Sequence, residues 1–197
     1  MVKNFARVAA AVALGLIVGI GSAWLVLNNG QLLGRFEYDH WFGNANAGSA
    51  AADPYTRGIV ATIGLLALNR SETIYFHRYV DENGQPLVQS CSYDLSGAQL
   101  PARWWSITVY AADDFLPQND DAALSIDATQ VFRATDGSWT ARMAPQRGGA
   151  SNWISTRAAG TFSLALRMYN PNDQARDDPS TIAYPKVRRV SCEGGVS

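Results

Sequence analysis

The chain reads as an all-β domain, a β-sandwich or jelly-roll-like fold with one preceding helix, set behind an N-terminal transmembrane anchor. Three observations predict this. Val8 to Leu27 runs for 20 residues without a charge. After residue 70, short runs rich in β-branched and aromatic residues alternate with turn signals. A single stretch beyond the anchor, starting at Asp53, has helical spacing, whereas a parallel sheet needs a helix after nearly every strand.

The anchor comes first. Twenty helical residues rise about 30 Å, the thickness of a bilayer's hydrocarbon core. Lys3 and Arg7 precede the run and no charge follows until Arg35. The positive-inside bias then keeps the N-terminus cytoplasmic and exports the rest. A cleaved leader is the alternative, with Gly21-Ser22-Ala23 as a weak site, but Trp24-Leu25-Val26-Leu27 continues the apolar run past it. A buried soluble helix is a third reading. Gly15 and Gly19 have the spacing that seats helix dimers. The organisation expected is an anchor over 1–27 (membrane segment about 8–27), a linker over 28–52, a β-rich domain over 53–192 and a tail over 193–197.

The chain holds 16 basic and 17 acidic residues among 197. Without Lys3 and Arg7, 14 basic and 17 acidic remain, a balance that argues against nonspecific nucleic-acid binding. Charged residues make up 17 % and hydrophobic ones 47 %, which excludes a collagen-like repeat and wholesale disorder.

Within 28–52, Glu37 to Phe42 is a bulky interruption of a small-residue stretch that ends in NANAGSAAA. Asp53-Pro54 is an N-cap followed by proline at the first helical position. Apolar residues then recur at Ile59, Val60, Ile63, Leu66 and Ala67, so a helix is expected from 54 to about 68. Thr73 to Val80 is a strand, Asp81-Glu82-Asn83-Gly84 a hairpin turn, and Leu87 to Leu95 the expected return. Arg103 to Tyr110 is a strongly strand-like run. Val131 to Ala134 and Ser138 to Ala144, joined by Asp136-Gly137, predict a second hairpin. Phe162 to Tyr169 alternates, with Phe162, Leu164, Leu166 and Met168 on one face.

Cys91 and Cys192 are the two cysteines. On the exported side an even pair predicts a disulfide closing a loop of about 100 residues. Two separate buried thiols are the alternative. With two distant histidines they form no zinc set.

At this point the chain resembles the DUF1214 family, a domain of unknown function common in bacterial membrane-linked and exported proteins. Arg103-Trp104-Trp105-Ser106-Ile107-Thr108-Val109-Tyr110 is similar to its aromatic-Trp-Ser-Leu-Thr-x-Tyr strand. Asn152-Trp153-Ile154 and the run Phe162 to Tyr169 are similar to its Asn-Trp-Leu element and its Phe-x-Leu-x-Leu-Arg-x-Tyr strand. Asp53 to Arg57, the anchor and the two cysteines resemble its shorter members. The likeness covers roughly residues 53–192. The chain departs from it at Ser155-Thr156-Arg157, where members often carry proline, and at Asn119-Asp120-Asp121, where many have Asn-Arg-Tyr. The resemblance implies a β-rich fold and no established activity, and with the anchor it points to a single-pass protein of the bacterial inner membrane with a periplasmic C-terminal domain.

No G-x-S-x-G, H-E-x-x-H, Walker or dinucleotide fingerprint occurs. Catalytic residues stay unassigned, and neither cofactor nor metal is expected. Asp113-Asp114 and Asp120-Asp121 offer hard oxygens, but turn residues and solvated charge account for them. Trp104, Ser106, Thr108 and Tyr110 share one strand face; Ser163, Arg167 and Tyr169 share another. If these adjoin, rings, hydroxyls and a guanidinium make a binding surface. The competing reading is an ordinary outer face with Arg167 paired to a carboxylate. His77 lies on one face with Thr73, Tyr75 and Tyr79, either as a strand residue bonded to a neighbour or as a base. The ligand-binding set is therefore Trp104, Ser106, Tyr110, Arg167, Tyr169 and His77. The expected function is a membrane-anchored module that contacts the lipid bilayer through 8–27 and binds an envelope protein or small-molecule ligand. The alternatives are an envelope hydrolase or lyase acting on a glycan or small metabolite, and a structural subunit.

Overall fold

The apolar N-terminal run forms one helix, α1 (Val2–Asn29). Among the described residues it is the one helix long and apolar enough to cross a membrane, over Asn4–Val26. The structure is a computed structural model that describes residues 2–29, 35–44, 47–62 and 68–193. The expected linker contains a hairpin of β1 (Arg35–Tyr38) and β2 (Trp41–Asn44). Its turn residues, Asp39 and His40, both take positive φ (50° and 61°), the backbone a two-residue hairpin turn requires. Trp41 is fully buried, and its indole Nε1 donates to the Pro185 carbonyl at 2.8 Å.

Helix α2 (Pro54–Thr62) starts as its cap predicts. The Asp53 carboxylate accepts the backbone N–H groups of Tyr55 and Thr56 and the Thr56 hydroxyl. These bonds hold the carboxyl below its usual range. Ile63, Gly64, Leu66 and Ala67 lie outside the described residues, and so does all of the tail except Glu193; the chain is no longer helical at Leu68.

The strands that follow are β3 (Thr73–Arg78), β4 (Cys91–Gly97), β5 (Ala102–Ala111), β6 (Ser125–Asp127), β7 (Trp139–Ala144), β8 (Trp153–Ser155), β9 (Phe162–Pro171) and β10 (Lys186–Cys192). A short helix α3 (Asp173–Asp177) and a 3-10 turn (Pro179–Thr181) lie between the last two. The fold is thus mixed, with a dominant β region of two sheets, rather than all-β. One sheet has six strands in the order β1-β2-β3-β9-β5-β6, and the other has four in the order β10-β4-β7-β8.

The two expected hairpins are corrected. The Asp81–Gly84 turn forms, with Gly84 at φ 74° and Asp81 Oδ1 accepting from Asn83 and Gln85 N–H. The strands on either side then separate: β3 pairs with β2 and β9, while β4 pairs with β10 and β7. One bridge, Val80 to Pro86, joins the arms, through Asp81 N–H donating to Gln85 O and Leu87 N–H donating to Tyr79 O. The Asp136-Gly137 turn also forms, with Ala134 N–H donating to Ser138 O. Residues 131–134 are irregular, and Asn152 takes up the polar groups of Phe132. Its side chain accepts from Phe132 N–H and donates to the carbonyls of Phe132 and Thr140.

The sheets share one core. Phe76, Trp105, Ile107, Leu164, Leu166 and Met168 from the larger face Tyr93, Leu95, Met143, Ile154 and Val187 from the smaller. Cys91 and Cys192 stand opposite each other on β4 and β10 and form a disulfide, 101 residues apart in sequence. In the chain-entropy account a loop that long contributes up to about 4–5 kcal/mol.

Candidate polar-aromatic face

Strand periodicity determines what each face of the larger sheet carries. Leu164, Leu166 and Met168 of β9 point into the core, so Ser163, Ala165, Arg167 and Tyr169 point outward. The register then places Trp104 beside Tyr169, Ser106 beside Arg167, Thr108 beside Ala165 and Tyr110 beside Ser163. On the other flank of β9, Thr73 meets Tyr169, Tyr75 meets Arg167 and His77 meets Ala165. The six residues expected to bind ligand therefore lie on one face, spread over three adjacent strands.

Their local contacts form two groups. At one end the Trp104 and Tyr169 rings lie 5.2 Å apart, tilted at 57°. In the middle, Arg167 Nη2 donates to the Tyr110 hydroxyl at 2.7 Å, with the guanidinium carbon 5.5 Å from that ring's centroid. Arg167 has no carboxylate partner among the described residues, and the competing expectation of such a pair does not hold. The floor between these side chains is small and shielded, with Ser106, Ser163 and Ala165 all buried.

His77 flanks this floor. Its imidazole stacks on Tyr79 at 6.4 Å, and Tyr79 in turn meets Phe42 at 6.0 Å. Burial, and after it the positive charge of Arg167, depresses the His77 pKa to about 4. The ring is neutral at pH 7, and so weak a base is poorly matched to proton abstraction there. Its Nε2 is buried without a hydrogen-bond partner, and so is the hydroxyl of Thr73 on the same face. Burial raises the Tyr79 hydroxyl pKa, and the nearby Asp114 carboxylate adds to the effect.

Sequence reading missed Arg35 and Phe42, which extend this face through the β1–β2 hairpin. The Phe42 position pairs with His77, and the Arg35 guanidinium lies 3.9 Å from the Phe42 ring centroid. The alternation in Arg35 to Tyr38 is the signal that was present.

Other sequence features have structural roles. Asp120 and Asp121 bind Arg157, whose Nη2 reaches both carboxylates, and Ser155 Oγ also donates to Asp121. The guanidinium bonds hold both carboxyls below their usual range, with Ser155 adding to the effect at Asp121. Asp113 caps its own turn at the Phe115 N–H. Trp153 Nε1 donates to the Ala144 carbonyl. Among the described residues no group of three or more His, Cys, Asp or Glu gathers to hold a metal ion. A hollow beside the disulfide, lined by Ser90, Ser92, Pro145, Gln146 and Glu193 among others, contains neither a cationic side chain nor an imidazole.

These features define a β-dominated domain of two sheets behind an apolar helix, with a polar-aromatic outer face. Residues 72–173 match the family described as protein of unknown function, DUF1214, and the chain belongs to that family. The fold is similar to the crystal structure of the VPA0106 protein from Vibrio parahaemolyticus, with a TM-score of 0.59 and 22 % identity over 70 % of this chain and 35 % of that one. An uncharacterized protein from Burkholderia cenocepacia aligns at a TM-score of 0.46 and 16 % identity, over 60 % of this chain and 30 % of its own. The chain thus spans about a third of the length of either protein. No curated protein matches it.

Proposed function

We propose that this chain is a single-pass inner-membrane protein whose β-rich domain, residues 53–192 with the hairpin before it, stands on the periplasmic side. There it binds a small ligand or a partner protein on the outer face of the six-stranded sheet. The apolar helix, the basic residues before it and the disulfide, which persists in oxidising compartments, support the location. The two sheets around one core supply a sandwich-type scaffold. The observation that carries the binding role is the outer face itself: tilted rings, a guanidinium seated on a tyrosine, and two buried polar atoms without partners.

The test is a thermal-shift screen of the full chain in detergent against envelope sugars, muropeptides, small carboxylates and a soluble periplasmic extract. A component that binds the native state raises the melting temperature. The expected result is an upward shift that Trp104→Ala removes. A shift that survives Trp104→Ala, or a silent screen of folded protein, counts against the face.

A further inference from the structure

We propose that the outer face is an anion site in which Arg167 takes the carboxylate or phosphate group of a small organic acid. This assignment deepens the binding role given above and rests on it. Carboxylate and phosphate share the chemistry the site recognises: a planar fork of N–H donors meeting two oxygens.

The first argument is the state of the guanidinium. It is half-buried and has five N–H donors. Among the described residues one of them is used, in the bond to the Tyr110 hydroxyl. A cation withdrawn from water is costly unless an opposite charge or hydrogen bonds compensate it. Several other arginines have a carboxylate in that role, while the half-buried Arg133 has the Ala128 carbonyl and the Trp105 ring instead. Arg78 meets Glu82, Arg142 meets Asp94, Arg176 meets Asp173 and Asp177, and Arg189 meets Asp81. Arg167 has no such partner among the described residues, and the tyrosine ring and hydroxyl that hold it leave most of its fork open.

The second argument is what surrounds it. Ser106 stands directly across on β5 and Tyr75 across on β3, with His77 one pair further along. The buried His77 Nε2 and the buried Thr73 hydroxyl have no partner. Thr73 is wholly shielded; the half-buried His77 can donate to an anion's oxygen as its Nε2–H tautomer. The floor beneath is Ser106, Ser163 and Ala165, small side chains that are themselves buried. Tyr110 on one side and the Trp104–Tyr169 pair at the end give the rest of the molecule aromatic surface to pack on.

The experiment uses the full chain in detergent micelles, with phenylacetate, phenyl phosphate and neutral phenylacetamide as probes. Thermal shift and titration calorimetry measure binding, and the His77 imidazole proton resonances report the site directly. The expected result is that one of the two anions binds, moves the His77 signals and exceeds the amide by at least about tenfold in affinity. Whichever anion binds distinguishes carboxylate from phosphate. Arg167→Gln should remove the binding, and Arg167→Lys, which keeps the charge without the fork, should weaken it less. Near-UV circular dichroism establishes that both variants are folded. Silence with both anions, equal binding of the amide, or unchanged binding by Arg167→Gln overturns the assignment. If the amide or a sugar binds and Trp104→Ala removes that response while the anions stay silent, the anion site falls and the binding face stands. If no probe or extract component responds, both fall.

Discussion

Two arginines on neighbouring strands of the larger sheet meet opposite fates. Arg78, at the end of β3 on the inner face, is wholly buried. It donates through Nε to the Val80 carbonyl, through Nη1 to the Asp39 carbonyl and through Nη2 to the Glu82 carboxylate. Glu82 in turn accepts the Val187 N–H, so this one side chain ties the first hairpin, the Asp81–Gly84 turn and β10 together. Arg167, on β9 and the outer face, keeps a single side-chain bond among the described residues, to a phenol. Inward, Phe76, Ile107, Leu164 and Leu166 are sealed; outward, Thr73 and His77 hold polar atoms with nothing to bond, as Trp105 Nε1 does on the inner face. One hydrogen-bonded ladder thus carries a face committed to folding and a face with a half-buried guanidinium and half-buried rings. Stability and binding should therefore separate by face, and the two arginines provide the measure.

The largest expected effect is at Arg78. Arg78→Gln leaves the exposed Glu82 without its cation and removes donors from three carbonyls, those of Val80, Asp39 and Pro185, at a cost of about 4 kcal/mol, with about 1–3 kcal/mol for each buried group left without a partner. Thermal unfolding in detergent should show a large drop in melting temperature. Limited proteolysis should cut first in the turn at Asp39-His40. A variant as stable as the parent would mean that Trp41, the β2–β3 pairing and the Lys186–Asp39 ion pair hold the hairpin without Arg78.

The next effect is a pH dependence specific to the outer face. The His77 pKa, about 4 in the folded chain, lies below the ordinary value near 6.5 of the unfolded one. The unfolded state then binds the proton first, so stability is full above about pH 7 and falls as pH drops from about 6.5 toward 4, by about 3 kcal/mol in all. His77→Gln should flatten the curve in that window. The lowered carboxyls, Asp53, Asp120, Asp121 and Asp136, lose their contribution at lower pH, as they protonate below their ordinary range near 3.8. The two windows are separable in a series of melting curves. Equal slopes for parent and variant between pH 6.5 and 4.5 would show that His77 is solvated.

How much of this was legible depends on the length and chemistry of each element. β5 and β9 are ten residues each with clear alternation, and their outward residues are the ones the sequence singled out. The β1–β2 hairpin was missed because each strand has four residues and the turn is Asp39-His40, without the Asn-Gly that marks such turns. β6 and β8, at three residues, are too short for a period to show. The Asp81–Gly84 turn was read correctly, but its strands were assigned to each other, because a turn fixes a chain reversal and not the sheet each arm joins. That choice belongs to long-range burial, which places β3 against β9 and β4 against β10. Likewise the face was legible as a set of residues, while the missing carboxylate at Arg167 was not. Pairing depends on which side chains three separate strands bring together.

The smallest expected effect is the one that most sharpens the contrast. Arg167→Gln removes the Tyr110 bond and, at the same time, a half-buried charge that lacks a counter-ion. The two changes oppose each other: a neutral hydrogen-bond loss costs about 1 kcal/mol, and relief of an uncompensated charge returns a similar amount. Net stability should therefore stay within about 1 kcal/mol of the parent, against the large loss at Arg78→Gln. Tyr110→Phe tests the same balance from the other partner. It keeps the ring under the guanidinium, so the cation–π contact survives, and it leaves the charge with no hydrogen bond at all. It should destabilise the chain slightly more than Arg167→Gln does, and the double variant should match Arg167→Gln alone, because the hydroxyl has no further role once the cation is gone. A double-variant cycle on melting temperatures measures this coupling directly. Additive losses would mean that Arg167 and Tyr110 act independently, and that the outer face is held by contacts other than the pair at its centre.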